Sequence, residues 1–500
     1  MCIMQFKSTF SSLLLSFLIS SLATFVVGSP IESDASRNAT ITFSNPEAEK
    51  YYVDGSKIPE VDWDAGPSWS GLMPISSHPN ETRKLFFWFW PTNNASHAND
   101  VTFWTNGGPG CSSLQGLLTE NGPISWNWGQ AAPTPNKWSW TNLSHMLWVE
   151  QPIGTGFTEG DPTINNDADL AEQFYGFMQQ FLEVFSELKG KNFYVSGESF
   201  GGFYVPHIAH YIYEHPGLDL HLKGMWLSDP SISYTVVQYE IPTLKFVKDN
   251  KNVFPLNSTF MADIEKRSDE CGYTDYVDTY VTYPPKGPLP MPKGNNGSVA
   301  APGHCQIRDR VRNAAQKLNP AFNKFRVTDQ WPAPWSVLGW PHSSIQKFVY
   351  FNRTDVQDAI HAPHVKWEAC TDEHVYVSEK SGRPHADTST PTAFTVLPEV
   401  IEKSERVVIA HGMADFMLVA EGTRIAIQNM TWNGAQGFQK PIEPESFTLK
   451  HHGVYGNAHT ERNLTYVEIY FSGHYVPQFT PWAAYSTFAY LLGRQDSPSS

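Results

Sequence analysis

Tyr194-Val195-Ser196-Gly197-Glu198-Ser199-Phe200-Gly201-Gly202 sets a serine at the centre of Gly-x-Ser-x-Gly. The β-like run Lys191 to Ser196 precedes it, and Phe203 to Ile212 follows with apolar residues at helical spacing. A strand that turns sharply into a helix at such a serine is a nucleophile elbow, with the hydroxyl exposed at the top of the turn. Glycines at 197 and 201 are expected there because a Cβ at either would clash.

Outward from the elbow, strand-like runs occur at Lys84 to Trp90, Val101 to Asn106, His145 to Glu150, Asn192 to Ser196, Arg406 to His411 and Leu464 to Phe471. Helix-like stretches separate several of them. Asp167 to Leu188 places Leu170, Phe174, Phe177, Met178, Phe181, Leu182 and Phe185 on one face, with Asn166 or Asp167 as its cap. This alternation predicts an α/β fold with a mostly parallel central sheet covered by helices on both faces. Residues 228–350 break the pattern with many prolines, two cysteines and a Gly/Asn-rich loop, and read as an inserted cap over the sheet's C-terminal edge. The core is thereby divided into residues 66–227 and 351–493. Residues 29–65 read as an N-terminal arm or short propeptide. The polar tail 494–500 offers neither a lipid-anchor signal nor a retention signal.

Residues 1–28 carry Lys7, the apolar stretch Leu13 to Val27, and Val26 and Gly28 at the −3 and −1 positions before Ser29, which reads as a secretory signal peptide. No later apolar stretch reaches the roughly 20 residues of a membrane span, so no transmembrane segment is expected. Nine Asn-x-Ser/Thr sequons, at Asn38, Asn80, Asn94, Asn142, Asn257, Asn296, Asn352, Asn429 and Asn463, fit passage through the secretory pathway and N-linked glycans. The expected destination is extracellular, with an acidic vacuole as the alternative. Of five cysteines, Cys2 leaves with the signal and four remain for an oxidising compartment. Among the three possible pairings, Cys271–Cys305 is preferred because it is local, and with it Cys111–Cys370, which ties the two halves together. A net charge of −15 and the lack of any Lys/Arg cluster argue against nucleic acid as a partner.

A serine needs a histidine base, itself oriented by a carboxylate, and in an α/β-hydrolase the chain order is Ser, Asp or Glu, His. Downstream, Arg406 to Phe416 is a buried-strand run ending in a loop at Asp415, and Tyr470 to Pro477 repeats the layout around His474. Asp372 and Asp387 lack a preceding strand, and His451, His452 and His459 lie in a polar stretch expected to be solvated. Upstream, Asn106-Gly107-Gly108-Pro109-Gly110-Cys111-Ser112-Ser113 follows a strand, and successive glycines let backbone N–H groups turn toward a developing oxyanion.

These motifs, together with Glu120-Asn121-Gly122-Pro123, Gly412-Met413-Ala414-Asp415 and Gly473-His474-Tyr475-Val476-Pro477, closely resemble those of the serine carboxypeptidases, the family of carboxypeptidase Y and the wheat enzymes. The resemblance runs from about Ser70 to Gly493. It departs from the pattern at Phe200, where many members have Tyr, and at Tyr475, where many have Met.

The resemblance implies an α/β-hydrolase fold and removal of C-terminal amino acids from peptides and proteins at acid pH, with no cofactor and no metal. It also implies a role for each matching residue. Ser199 would be the nucleophile, His474 the base and Asp415 its orienting acid, while the N–H groups of Gly108 and Phe200 would form the oxyanion hole. Asn106, Glu120 and Glu198 would bind the substrate's terminal carboxylate, the two glutamates sharing a proton. Gln115, Thr119 and Tyr475 would lie near the leaving-residue pocket. An esterase or acyltransferase using the same Ser199, and a catalytically silent glycoprotein, are the alternative readings.

Overall fold

The computed structural model describes residues 41–500 except 294–300, 302, 330–334, 341–347 and 379. The expected signal peptide, residues 29–40, and the sequons at Asn38 and Asn296 lie outside the described residues.

Runs such as Lys84–Trp90 are apolar at nearly every position, and because successive side chains in a strand point to opposite faces, such a strand needs cover on both sides. Eleven strands answer that need in one sheet: β1 (Tyr52–Val53), β2 (Ser68–Pro74), β3 (Lys84–Trp90), β4 (Asp100–Thr105), β5 (His145–Glu150), β6 (Asn192–Glu198), β7 (His221–Ser228), β8 (Arg406–Gly412), β9 (Ser446–Leu449), β10 (Gly453–Glu461) and β11 (Leu464–Ile469). Their spatial order is β1-β2-β3-β5-β4-β6-β7-β8-β11-β10-β9. The run β5-β4-β6-β7-β8-β11 is parallel, and antiparallel strands flank it on both sides.

Phe87 and Phe89 of β3 enter one apolar layer with Phe174, Phe177 and Phe181, whereas Phe86, Trp88 and Trp90 enter the opposite layer with Leu117 and Phe488. The first layer is built by helices α2 (Asp167–Val184) and α3 (Gly201–Glu214), the second by α1 (Leu114–Thr119) and, near the chain's end, Pro481–Leu491. Asn166 caps α2 by accepting from the N–H groups of Ala168 (2.9 Å) and Asp169 (3.1 Å). Asp167 turns inward and accepts a 2.6 Å hydrogen bond from the Tyr376 hydroxyl. The helix stops at Val184, short of the expected Leu188, and Ser186–Leu188 continues as a 3₁₀ turn.

Five strands of the sheet were not foreseen from the sequence: β1, β2, β7, β9 and β10. Strand β7 lies mid-sheet between β6 and β8. His459, expected to be solvated, is buried in β10, with its ring nitrogens 2.9 Å from Glu445 and 2.8 Å from Glu461.

Between β7 and β8 the chain runs through a π-helical turn, Val236–Glu240, into α4 (Ile241–Asp249), then α5 (Ser258–Cys271) and α6 (Ile307–Leu318). The Cys271–Cys305 disulfide staples this segment. Its side chains form a third apolar cluster with Ala414, Phe416 and Val419 from the loop after β8. Backbone bonds fasten the same segment to that loop: Phe416 N–H donates to the Lys324 carbonyl (2.9 Å) and Val327 N–H to that of Ala414 (2.9 Å). Residues 46–65 supply the edge strand β1 and bury Ala48, Val53, Ile58, Val61 and Ala65.

Candidate active site

Strands β4, β6, β8 and β11 run parallel, so the loops after their C-terminal ends share one edge of the sheet, where ligand sites of open α/β sheets form. Ser199 follows β6 with φ of +57°, a left-handed conformation that only a tightly held turn imposes on a serine. The turn is held by the Ser199 N–H donating to the Ser228 carbonyl (3.0 Å) and by the Ser199 carbonyl accepting from Ser231 (2.8 Å) and Gly202 (3.0 Å). The glycine expected at 201 for steric reasons has room, since an added Cβ there meets only the Thr105 carbonyl at 3.6 Å. Gly197 is required as expected, since its Cβ would sit 2.8 Å from the Thr105 carbonyl oxygen, and Gly202 is required too: its Cβ would sit 2.3 Å from the Ser231 carbonyl oxygen, because α3 starts against the segment leaving β7.

Asp415 and His474 meet where the loops after β8 and β11 converge. The imidazole Nδ1 is 2.7 Å from Asp415 Oδ2, and both side chains are buried. Asp415 is fixed by the N–H groups of Met417 (2.6 Å to Oδ1) and Leu418 (3.2 Å to Oδ2). Phe325 of the inserted segment accepts from the His474 N–H (2.7 Å) and sets its ring 5.4 Å from the imidazole.

The loop after β4 lies directly against the elbow. A Cβ on Gly107 would come within 2.3 Å of the Phe200 nitrogen, and Gly108 has φ of +113°. Phe200 stands at the N-terminus of α3, where the helix dipole favours negative charge. The loop is pinned by the Cys111–Cys370 disulfide and by bonds from Ser112 N–H to the Ala369 carbonyl (2.8 Å) and from Thr371 N–H to that of Gly110 (3.0 Å). Both disulfides are the preferred pair.

Asn106, Glu120 and Glu198 also converge, all buried. The Asn106 amide donates to Glu120 Oε1 (3.2 Å) and Glu198 Oε1 (2.6 Å), while its Oδ1 accepts from Trp104 Nε1 (2.9 Å) and the Gly116 N–H (3.1 Å). The second oxygen of each carboxyl is buried without any other protein partner, and the two carboxyls share a hydrogen bond. Burial, and for Glu198 the neighbouring Glu120, hold both well above the usual carboxyl range, so the pair keeps a proton.

Tyr475 hydrogen-bonds Gln115 beside this pair. Thr119 directs its hydroxyl back to the Gln115 carbonyl (2.9 Å) within α1. The Tyr475 ring stacks on Phe325 (5.3 Å) and touches Trp128 (6.1 Å) and Phe479 (6.0 Å), an aromatic wall that the sequence did not single out.

Glu150, also not singled out, lies under the loop after β4. It accepts from the Ser112 hydroxyl, the Phe157 N–H (2.6 Å) and Trp367 Nε1 (2.9 Å), and burial pushes it up to about 7. A carboxyl whose folded pKa exceeds its unfolded value favours the fold while protonated. Its contribution is fully present below the unfolded value near 4.5 and is lost as pH rises to about 7. For Glu150 alone this reaches about 3 kcal/mol. Glu120, Glu198 and Asp167 shift in the same direction, chiefly through burial. The melting temperature should therefore be higher at pH 5 than at pH 7.5, by roughly 5 °C. A calorimetric scan showing the opposite order would mean these carboxyls are ionised in the fold.

Three clusters among the described residues have metal-ligand chemistry. In one, Cys271 and Cys305 are consumed by their disulfide. In the second, Lys403 already holds Glu214 and Glu399, at 2.6 Å each, beside His210. The third, Asp229, Asp415 and His474, belongs to the hydrogen-bonded site described above.

Comparison with known proteins gives this geometry its family. The serine carboxypeptidase family, Peptidase S10, matches residues 59–494. An Arthroderma benhamiae protein named "Probable serine carboxypeptidase" is 44% identical over 489 residues, covering 93% of this chain and 90% of its own. "Serine-type carboxypeptidase F" of Aspergillus niger is 38% identical over 480 residues, covering 91% and 89%. Among solved structures, the prohormone-processing carboxypeptidase Kex1(delta)p of Saccharomyces cerevisiae superposes with a TM-score of 0.67 at 22% identity, over 89% of this chain and 96% of its own, which shows the α/β-hydrolase fold. The chain belongs to the serine carboxypeptidase family.

Proposed function

We propose that the protein releases C-terminal amino acids from peptides and proteins at acid pH, with Ser199, His474 and Asp415 as its triad. Ser199 Oγ attacks the scissile carbonyl and passes its proton to His474 Nε2, while Asp415 holds the ring through Nδ1–H. The N–H groups of Gly108 and Phe200 stabilise the oxyanion. His474 then protonates the departing amino acid, and water, deprotonated by the same imidazole, releases the acyl group. Asn106, Glu120 and Glu198 receive the substrate's terminal carboxylate. Gln115, Thr119 and Tyr475 line the leaving-residue side, where the aromatic wall suits bulky apolar residues.

One observation carries the reading: a buried, proton-sharing pair of glutamates stands on the same sheet edge as the bonded Asp415 and His474. A general serine hydrolase has no use for such a pair. Incubation with an N-blocked dipeptide at pH 5 should liberate the free C-terminal amino acid, whereas the same dipeptide with an amidated C-terminus should turn over far more slowly. Equal rates on the two would sink the exopeptidase reading.

Secretion or delivery to an acidic vacuole accords with the sequons and the acid-stabilised interior. Asn80, Asn94 and Asn257 are exposed and are the proposed glycan acceptors, whereas the exposed Asn463 already donates its amide to the Ser404 carbonyl (3.2 Å). The Asn352 amide is spent on both backbone groups of Trp367, at 3.0 and 2.6 Å, which disfavours a glycan there. No helix among the described residues is long and apolar enough to cross a membrane.

A further inference from the structure

Asp229, directly after β7, is an acid that the sequence reading passed over because the strand before it went unrecognised. It has a φ of +43° and is completely buried. Since β7 lies between the elbow strand β6 and the Asp415 strand β8, Asp229 emerges within the triad. One of its carboxyl oxygens, one of Asp415 and a ring nitrogen of His474 lie within 4.8 Å of one another.

Each group facing Asp229 has an assignable state. Its Oδ1 accepts from the Gly412 N–H (2.9 Å) and its Oδ2 from the Ser228 hydroxyl (2.9 Å). From β8, His411 Nε2 stands 3.3 Å from Asp229 Oδ1 and 3.8 Å from Asp415 Oδ2, but it donates its proton to the Leu418 carbonyl (2.8 Å). Burial disfavours a charge on His411, so that ring is neutral. Glu198 from β6 and Tyr466 from β11 also sense Asp229, and neither brings positive charge. Among the described residues no Lys or Arg forms an ion pair with Asp229 or Asp415, whose ion-pair partners are His411 and His474; Lys324 senses Asp415 without pairing with it, which favours the negative charge on Asp415. Two buried carboxyls in hydrogen-bond contact cannot both ionise cheaply. Asp415 takes two backbone N–H groups and the imidazole, so it is the better site for the charge, and the proton rests on Asp229.

We propose that Asp229 is a second acid of the triad, a positioning residue that donates its proton to Asp415 and stands ready to carry the negative charge itself. During acylation the Ser199 proton moves to His474 Nε2, and the electron pair left on Oγ forms the bond to the carbonyl carbon. The Asp229–Asp415 pair keeps one proton and one negative charge throughout, facing the imidazolium. When Asp415 is absent, Asp229 has no carboxylate to donate to, ionises, and supplies that charge from the next strand.

The proposal rests on the triad reading and is tested by a double-mutant cycle on an amide-ended ester near pH 7. Asp415→Ala is expected to cost on the order of 10²-fold in kcat, less than loss of the only acid would. Asp229→Asn, whose amide still donates to Asp415, should cost several-fold in the wild-type background. In the Asp415→Ala background it should cost more than tenfold, and it should lower the acid-limb pKa of the pH profile by half a unit or more, because the last negative charge beside His474 is gone. The same cost in both backgrounds, with an unchanged acid limb, would assign Asp229 a merely structural role and overturn the proposal. If Asp229→Asn/Asp415→Ala does not fold, Asp229→Ser/Asp415→Ala closes the cycle on the same criteria. An Asp415→Ala protein as active as wild type would instead remove the triad reading on which the proposal stands.

Discussion

Ser199→Ala is expected to lower kcat on peptide and ester substrates alike by on the order of 10⁴-fold or more, which is about 5.5 kcal/mol of transition-state stabilisation. The substitution deletes one oxygen and leaves the elbow's backbone bonds to Ser228, Ser231 and Gly202 in place, so the fold and the carboxylate network should survive. KM should therefore change little, and the loss should fall on kcat. His474→Ala should cost nearly as much, and the double variant little more than either, because nucleophile and base act as one unit. Fluorophosphonate should label the wild-type protein at Ser199 and fail to label Ser199→Ala. A Ser199→Ala preparation, free of contaminating hydrolase, that keeps a tenth of the activity would show that the covalent centre lies elsewhere.

The features that were legible in the sequence are those in which side-chain pattern and local backbone agree. Lys84–Trp90, His145–Glu150 and Arg406–Gly412 are apolar enough to read as strands buried on both faces, and the glycine-rich motifs after Asp100–Thr105 and Asn192–Glu198 mark where backbone packs closely on backbone. Strand β7 escaped because His221, Lys223 and Gly224 dilute its apolar signal. Gly224 is there because a Cβ would lie 2.4 Å from the Arg406 carbonyl of β8, a contact made almost two hundred residues downstream. With β7 unseen, Asp229-Pro230 read as the start of an irregular insertion and not as a strand end beside Asp415 and His474. Strand β10 escaped for a related reason. Its polar residues are satisfied from outside the strand, His459 by Glu445 among them, so local polarity misreports burial. Glu150 and the Tyr475 wall likewise depend on partners far apart in the chain, such as Trp367 and Phe325.

The proton shared by Glu120 and Glu198 should divide the pH dependence of peptide and ester hydrolysis. Both carboxyls are held above the usual range by burial, and among the described residues neither forms an ion pair; the Asn106 amide donates to both. A raised carboxyl pKa means the proton is present at acid pH and lost as pH rises through the pair's apparent value. While it is present, the pair can donate to a peptide's terminal carboxylate. Once it is lost, the site sets negative charge against negative charge. Peptide turnover should then fall about tenfold per pH unit on the alkaline side. An ester whose leaving side ends in an amide carries no carboxylate, needs only a neutral His474, and should hold or gain rate toward neutral pH. Glu120→Gln/Glu198→Gln keeps N–H donors at every pH. That variant should lose overall peptide rate, yet show a flattened alkaline decline, with KM rather than kcat carrying the difference from wild type. Superimposable peptide and amide-ended ester profiles in the wild-type protein would remove the glutamate pair from carboxylate recognition while leaving Ser199, His474 and Asp415 untouched, because only the peptide presents a charge for that proton to meet.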